Sequence, residues 1–224
     1  SAASDVYKRQ NDISTYQTDK YWIAEGSKGL RSIQRKGSNS FEALNEPIIL
    51  DGPYSNSAFD IVCKNDKVYM IIGGKDLLNG KRFDKGGYIL TYDYDKWSFI
   101  DPKEAQKKLN LPRNPRDYTS IAVTTDDSND EIVYASSMGD GVIQYKNGTP
   151  VQSYNEKNAF KETAGGYGSG YCYIDGLAFD KNGNLWMTSS EVNHAVLVLD
   201  KAGAWHRLDI EQLRGVYTIN DILI

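Results

Sequence analysis

The chain has 224 residues, of which 40% are hydrophobic and 25% charged, and its formal net charge is −4. No apolar run approaches the roughly 20 residues that a membrane helix needs, and a net negative chain is a poor partner for nucleic-acid phosphates, which bind clustered Lys and Arg. Sixteen tyrosines and 20 glycines, against three methionines, favour strands and turns over a helical bundle. We therefore expect an all-β globular chain with no membrane span and no nucleic-acid partner.

The first ten residues, SAASDVYKRQ, match the translation of an adapter used in sequencing libraries. We expect residues 1–10 to be an artefact that is disordered and packs against nothing. The natural sequence then begins near Asn11, and a missing leader peptide carries no information.

From residue 11 onward, strand-like segments separated by turn residues recur in groups of four. The clearest group spans 173–210, where Asn182-Gly183 provides the positive φ of a two-residue hairpin. Equivalent groups are predicted at 11–50, 57–101 and 117–155. In the first group only three strands are predicted, at 20–25, 30–36 and 41–48, and residues 217–224 are expected to begin a further group.

One aromatic residue recurs in the second strand of each group: Trp22, Tyr69, Tyr134 and Trp186. A repeated four-stranded unit is typical of β-propeller blades. A β-sandwich is the alternative, but it does not explain why the second strand always carries the aromatic. The predicted fold class is all-β, a β-propeller fragment of four-stranded antiparallel blades with three complete blades and parts of two.

Few residues suggest catalysis or metal binding. His194 and His206 lack zinc-ligand spacing. Asp60, Asp175 and Asp221 fall on inner strands, where a propeller lyase or lactonase would place its carboxylates, but we interpret them as structural hydrogen-bond acceptors. No catalytic residue, metal or cofactor is predicted.

Two further features have structural rather than functional interpretations. Residues 126–130 are predicted to form a polar hairpin turn, because the Gly and distal Glu of a calcium loop are missing. Cys63 and Cys172 are expected to be buried free thiols, with a disulfide between them as the open alternative.

The long connections point to a binding surface. In an up-and-down blade, the segments 75–86, 102–116 and 156–171 all leave the sheets on one face, and the second of them is predicted to contain a short helix after Pro102. Elaborated loops on a rigid scaffold commonly carry binding sites. The ligand-binding residues predicted on this long-loop face are Arg113, Arg116, Tyr167 and Tyr171. The alternative is that these segments only connect blades.

The stretch DGLAFDKNGNLWMTSS at 175–190 resembles the two-component-regulator propeller repeat. The segment 116–154, taken with that stretch, is similar to the N-terminal propeller of PorZ-type proteins, surface components of the Bacteroidota type IX secretion system. That resemblance implies an exported protein of the periplasm or cell surface of a Gram-negative bacterium. It carries no individual ligand residue onto this chain.

These observations together predict a non-enzymatic recognition scaffold. Its expected partners are surface polysaccharide or secretion-complex proteins. One alternative is the extracytoplasmic sensor propeller of a hybrid two-component regulator that binds oligosaccharide. The second alternative is a propeller lyase or lactonase.

Overall fold

The computed structural model describes residues 12–24, 30–46, 48, 52–160 and 170–224. The chain divides into two compact units, Ser1–Gly52 and Pro53–Ile224, and each is described by itself. The expected adapter segment at 1–10 lies outside the described residues.

The first unit contains a four-stranded antiparallel sheet in which each strand pairs with the next. Its strands are β1 (Asp12–Gln17), β2 (Lys20–Ala24), β3 (Leu30–Gly37) and β4 (Ser40–Ala43). Ile23 and Ile33 are buried. The sequence predicts only three strands here, and β1 is the strand that it misses.

The second unit contains three further four-stranded meanders, each antiparallel and in chain order. The first comprises β5 (Ala58–Lys64), β6 (Lys67–Ile72), β7 (Ile89–Asp93) and β8 (Lys96–Ile100). The second comprises β9 (Tyr118–Thr125), β10 (Glu131–Gly139), β11 (Gly141–Lys146) and β12 (Thr149–Tyr154). The third comprises β13 (Cys172–Phe179), β14 (Leu185–Ser189), β15 (Val196–Leu199) and β16 (Trp205–Leu208). Residues 217–224, predicted as a strand, are described but form none.

Consecutive sheets of the second unit pack face to face. Alternation along β10 sends Tyr134 to one face and Val133 and Ala135 to the other, so the β9–β12 sheet is buried on both faces. One cluster, centred on Tyr69, Ile71, Ile89, Tyr118, Ile143 and Tyr145, joins β5–β8 to β9–β12. A second, centred on Tyr134, Val142, Ile174, Leu185, Met187 and Leu197, joins β9–β12 to β13–β16. Each fully buried large side chain contributes about 1.5–3 kcal/mol. Four-stranded sheets stacked in chain order confirm the predicted propeller fold class.

The recurrent aromatics do not share one environment. Tyr69 and Tyr134 are buried, whereas Trp186 is half-buried and its indole Nε1 donates to Asp180 Oδ2 at 3.0 Å. The cysteines also differ. Both are free, but alternation along β5 places Cys63 on the face opposite Val62, where it is exposed, and only Cys172 is buried. The expectation of two buried thiols was therefore wrong for Cys63.

The β9–β10 and β13–β14 turns, at one end of the sheets, are each closed by an aspartate. Asp180 Oδ1 accepts from the backbone N–H of Asn182 and Asn184, both at 2.9 Å. Asp126 Oδ1 accepts in the same way from Ser128 and Asp130 at 2.9 Å. The segment 126–130 is thus a hairpin turn, as predicted, because its first carboxylate is occupied by backbone donors.

The long connections leave the opposite end of the sheets. The β8–β9 connection contains helix α1 (Pro102–Leu109), which begins after the N-cap Asp101 and ends at Asn110 in the left-handed conformation. Ala105 is buried and ties the helix to the cluster centred on Tyr118. The β6–β7 and β12–β13 connections emerge at this same end, so all three can contribute to one surface.

Candidate functional site

Three side chains, one from each long connection, meet at Gly139. Gly139 ends β10 with φ +129° and pairs with Cys172 of β13, which joins two neighbouring sheets at this point. A Cβ built on Gly139 would lie 3.4 Å from Arg82 Nη1, 3.4 Å from Tyr171 Cδ1 and 3.5 Å from Arg113 Nη2. We call Arg82, Arg113, Asp140 and Tyr171 the Gly139 cluster.

The two arginines flank one aromatic ring. Arg113 Cζ lies 5.5 Å from the centroid of the Tyr171 ring, and Arg82 Cζ lies 6.0 Å from it. Both distances are within the range of cation–π attraction. Tyr171 also packs on Met138 and Tyr173, which holds its ring against the junction of β10 and β13. Two guanidinium groups are therefore brought together beside a flat apolar surface.

Asp140 orients Arg113. Nε and Nη2 of Arg113 both lie 2.8 Å from Asp140 Oδ1, while Asp140 Oδ2 accepts from the backbone N–H of Arg116 at 3.1 Å. Burial pushes the pKa of Arg113 down, but the charge of Asp140 and the hydrogen bonds with Asp140 and Tyr171 raise it above its ordinary value. Arg113 is a fixed cation whose side chain is 40% exposed, so it can reach a ligand.

Arg82 is held through its own connection. Arg82 Nη2 contacts Asp84 Oδ1 at 3.1 Å. Asp117, which is buried, accepts from the backbone N–H of Asp84 at 3.1 Å and of Lys85 at 3.0 Å. Desolvation raises the pKa of Asp117, and the hydrogen bond from Lys85 and the charge of Arg82 oppose that rise. A buried carboxylate thus fixes the chain beside Arg82.

The four predicted binding residues differ in where they lie relative to the Gly139 cluster. Arg113 and Tyr171 come together, Arg116 is exposed and joins the cluster through its backbone, and Tyr167 lies outside the described residues. Arg82 lies in a predicted long-loop segment but is not among the predicted binding residues, and Asp140 was missed altogether. The available signals were the length of the β6–β7 connection and the Gly139-Asp-Gly141 sequence at the junction of β10 and β11.

The inner-strand carboxylates are occupied by structural bonds. Asp60 Oδ2 accepts from Ser120 Oγ and from the backbone N–H of Ile121, both at 3.0 Å, across the interface between two sheets. Ser120 Oγ then accepts from the backbone N–H of Leu177 at 3.2 Å, across the next interface. The side chains of Asp60 and Ser120 therefore link three successive sheets.

Asp175 belongs to a buried ion pair. It contacts the ammonium of Lys75, and the two side chains are 1% and 2% exposed, respectively. Ser190 Oγ also donates to Asp175, at 2.5 Å. Desolvation raises the pKa of Asp175, opposed by the charge and hydrogen bond of Lys75. Asp221 accepts from the backbone N–H of Ile222 at 2.8 Å.

The residues that the structure describes include neither a metal-binding cluster nor a helix that could span a membrane. Within that part of the chain, no group of three or more His, Cys, Asp and Glu side chains could hold a metal ion. His206 Nε2 lies 2.7 Å from Asp200 Oδ2 in the β15–β16 hairpin. None of the described helices has the length and apolar character needed to cross a bilayer.

Comparison with known proteins shows a likeness in structure. No known protein family and no curated protein matches the sequence. The chain is similar to PorZ, a surface component of the type IX secretion system of Porphyromonas gingivalis, with a TM-score of 0.67 and 21% identity over 96% of this chain and 28% of that one. It thus spans 28% of the length of the PorZ chain.

Other solved structures match less well. The extracellular domain of a hybrid two-component system from B. thetaiotaomicron gives a TM-score of 0.44 with 17% identity over 94% of this chain and 24% of that one. Virginiamycin B lyase from Staphylococcus aureus gives 0.41 with 12% identity over 89% and 55%. The likeness to PorZ shows the fold, and it confirms the propeller resemblance found in the sequence.

Proposed function

We propose that this propeller segment is a non-enzymatic recognition scaffold of an exported cell-envelope protein, a surface component associated with type IX secretion that binds surface polysaccharide or a partner protein. The observation that carries the proposal is the Gly139 cluster, in which Arg82, Arg113 and Tyr171 converge from three separate connections. The likeness in fold to PorZ, itself a surface component of that secretion system, supports the assignment to the cell envelope.

The chemistry of the cluster suits an acidic ligand. A guanidinium presents a planar fork of N–H donors that matches carboxylate, sulfate or phosphate oxygens. Tyrosine adds a flat apolar face for a sugar ring or a protein side chain. Because Asp140 already holds Arg113 in one orientation, little side-chain entropy is lost when a ligand binds.

Two of the three carboxylates that a propeller lyase or lactonase would need have structural partners instead. Asp60 bonds to Ser120 and Ile121 across a sheet interface, and Asp175 is paired with Lys75 in the interior. Both carboxylates would have to leave these partners before they could act on a substrate. This favours recognition over catalysis.

The proposal is tested by titrating the chain with pectate, a carboxylated polysaccharide, and with neutral dextran at two salt concentrations. Loss of one charge-assisted contact costs about 1.5–3 kcal/mol, so Arg113→Ala should weaken pectate binding by roughly tenfold or more. Arg116→Ala should weaken it less, because Arg116 is exposed and joins the cluster through its backbone.

Lys201→Ala is the matched control. Lys201 lies in the β15–β16 turn, at the opposite end of the sheets, and its exposed ammonium contacts Asp127. This variant should bind pectate as the wild type does. Higher salt should weaken wild-type binding, since exposed charges are screened over about 8–10 Å. Equal affinities of wild type and Arg113→Ala for pectate would indicate that the long connections only link the sheets.

A further inference from the structure

The β6–β7 connection is folded as a small hairpin with Lys75 and Arg82 directly opposite each other. The two residues form an antiparallel β-bridge. Asp76 N donates to Lys81 O at 2.8 Å, and Gly80 N donates to Asp76 O at 2.8 Å, which closes the turn. The backbone position of Lys75 therefore determines that of Arg82.

Lys75 anchors this hairpin to other parts of the unit. Its ammonium is paired with Asp175 and donates to Thr218 Oγ1 and to Ile219 O, both at 3.0 Å. An ammonium has three N–H donors, and these three partners satisfy all of them. Ser190 Oγ contacts Asp175 and also accepts from Ile219 N at 2.8 Å. A fully satisfied buried polar network of this kind is rigid.

A second anchor lies on the other side of Arg82. Asp117 accepts from the backbone N–H of Asp84 and Lys85, and Asp117 N donates to Lys85 O at 2.9 Å. Arg82 thus lies between two fixed points. Its own partner, Asp84, is 62% exposed, and an exposed pair of this kind contributes little. Arg82 and Arg113 repel each other, and the Tyr171 ring and the exposed Asp84 offset this only in part. The backbone anchors therefore add to what holds Arg82 in place.

We infer that Lys75, through its pair with Asp175, is a positioning residue that holds Arg82 beside Arg113 over Tyr171, and that the resulting two-guanidinium site binds a group with two or more acidic oxygens. The ligand in this inference rests on the proposed function. The positioning of Arg82 is argued separately, from the contacts of Lys75 and Asp117. Lys75 itself is buried and touches no ligand.

The test is a double-mutant cycle on pectate binding, with dextran sulfate as a second arm to separate carboxylate from sulfate recognition. Arg82→Gln should weaken binding about tenfold, the loss expected for one charged contact. The variant Lys75→Met with Asp175→Asn removes both buried charges together and so avoids an unpaired carboxylate. It should bind as weakly as Arg82→Gln, and adding Arg82→Gln to it should cause no further loss. Additive losses would overturn the inference, because Lys75 would then act on binding by another route.

A second measurement needs no ligand. The Nε–Hε resonance of Arg82 should be shifted by the Tyr171 ring, and it should move to the free-arginine position in the Lys75→Met, Asp175→Asn variant. The Arg113 resonance, held by Asp140, is the internal control and should stay where it is. An unmoved Arg82 resonance, or equal movement of both, would refute positioning by Lys75. If wild type binds neither polysaccharide, recognition of an acidic polysaccharide fails, while this measurement still decides the positioning of Arg82.

Discussion

Replacement of Asp60 by alanine tests whether the inner-strand carboxylates hold the sheets together. Asp60 Oδ2 accepts two hydrogen bonds from the neighbouring sheet, at 3.0 Å each, from Ser120 Oγ and Ile121 N. Ile121 is 3% exposed, so its N–H has no ready access to water once the carboxylate is gone. An orphaned buried donor together with a lost charged acceptor costs about 2–4 kcal/mol. For a chain of this size, that lowers the melting temperature by roughly 5–15 °C.

The assay is urea unfolding followed by tryptophan fluorescence, with the midpoint and slope compared between variants. Asp221→Ala is the matched control. Asp221 accepts from the backbone N–H of the next residue, Ile222, just as Asp60 accepts from that of Ile61. Unlike Asp60, Asp221 is exposed. Its free energy of unfolding should change by less than about 0.5 kcal/mol. If Asp60→Ala and Asp221→Ala have the same midpoint, the bonds across the sheet interface stabilise nothing and the structural interpretation of Asp60 is wrong.

Two other predictions concern the buried ion pair and the cysteines. Lys75→Met should lower the free energy of unfolding by about 3–5 kcal/mol near neutral pH. Burial already raises the pKa of Asp175, and Lys75 opposes this, so the pKa of Asp175 should rise further in the variant. The loss in free energy of unfolding relative to wild type, read from urea midpoints, should therefore grow as the pH rises toward that raised pKa and shrink in acid. Burial also raises the pKa of Cys172 to about 12, whereas Cys63 is exposed. A thiol reagent should therefore label Cys63 in the native chain and Cys172 only after unfolding. Rapid labelling of Cys172 in the native chain would contradict the described packing.

Much of the fold is encoded in local sequence. Alternation and Asn-Gly turns predict most strands, because a half-buried strand needs period two and a tight hairpin needs positive φ. β1 was missed because its polar sequence DISTYQ has no apolar alternation, and pairing with β2 creates the strand. At 217–224 the pattern predicts a strand, but Thr218 and Ile219 bond instead to Lys75 and Ser190.

The candidate site was predictable only in outline. Topology alone places Arg113 and Tyr171 at one end of the sheets, and the structure brings them together. Arg82 joins them because Gly139 leaves room for all three side chains, which depends on tertiary packing. A lysine in a polar loop is expected to be solvent-exposed. No local sequence pattern predicts that Lys75 pairs with Asp175, which lies 100 residues away.

The anchoring of the β6–β7 connection also limits how this sequence can diverge. Surface connections usually accept insertions and deletions, because nothing depends on their length. Here the spacing between Lys75 and Asp84 is set by contacts to Asp175, in β13, and to Asp117, which directly precedes β9. One residue added between Arg82 and Asp84 would break the register between the bridge to Lys75 and the bonds to Asp117. The β15–β16 turn is closed mainly by Asp200 within its own hairpin, and among the described residues its contacts to other turns come from Lys201 alone, through Asn184 and the exposed Asp127. It is the safer place to graft a tag or an epitope.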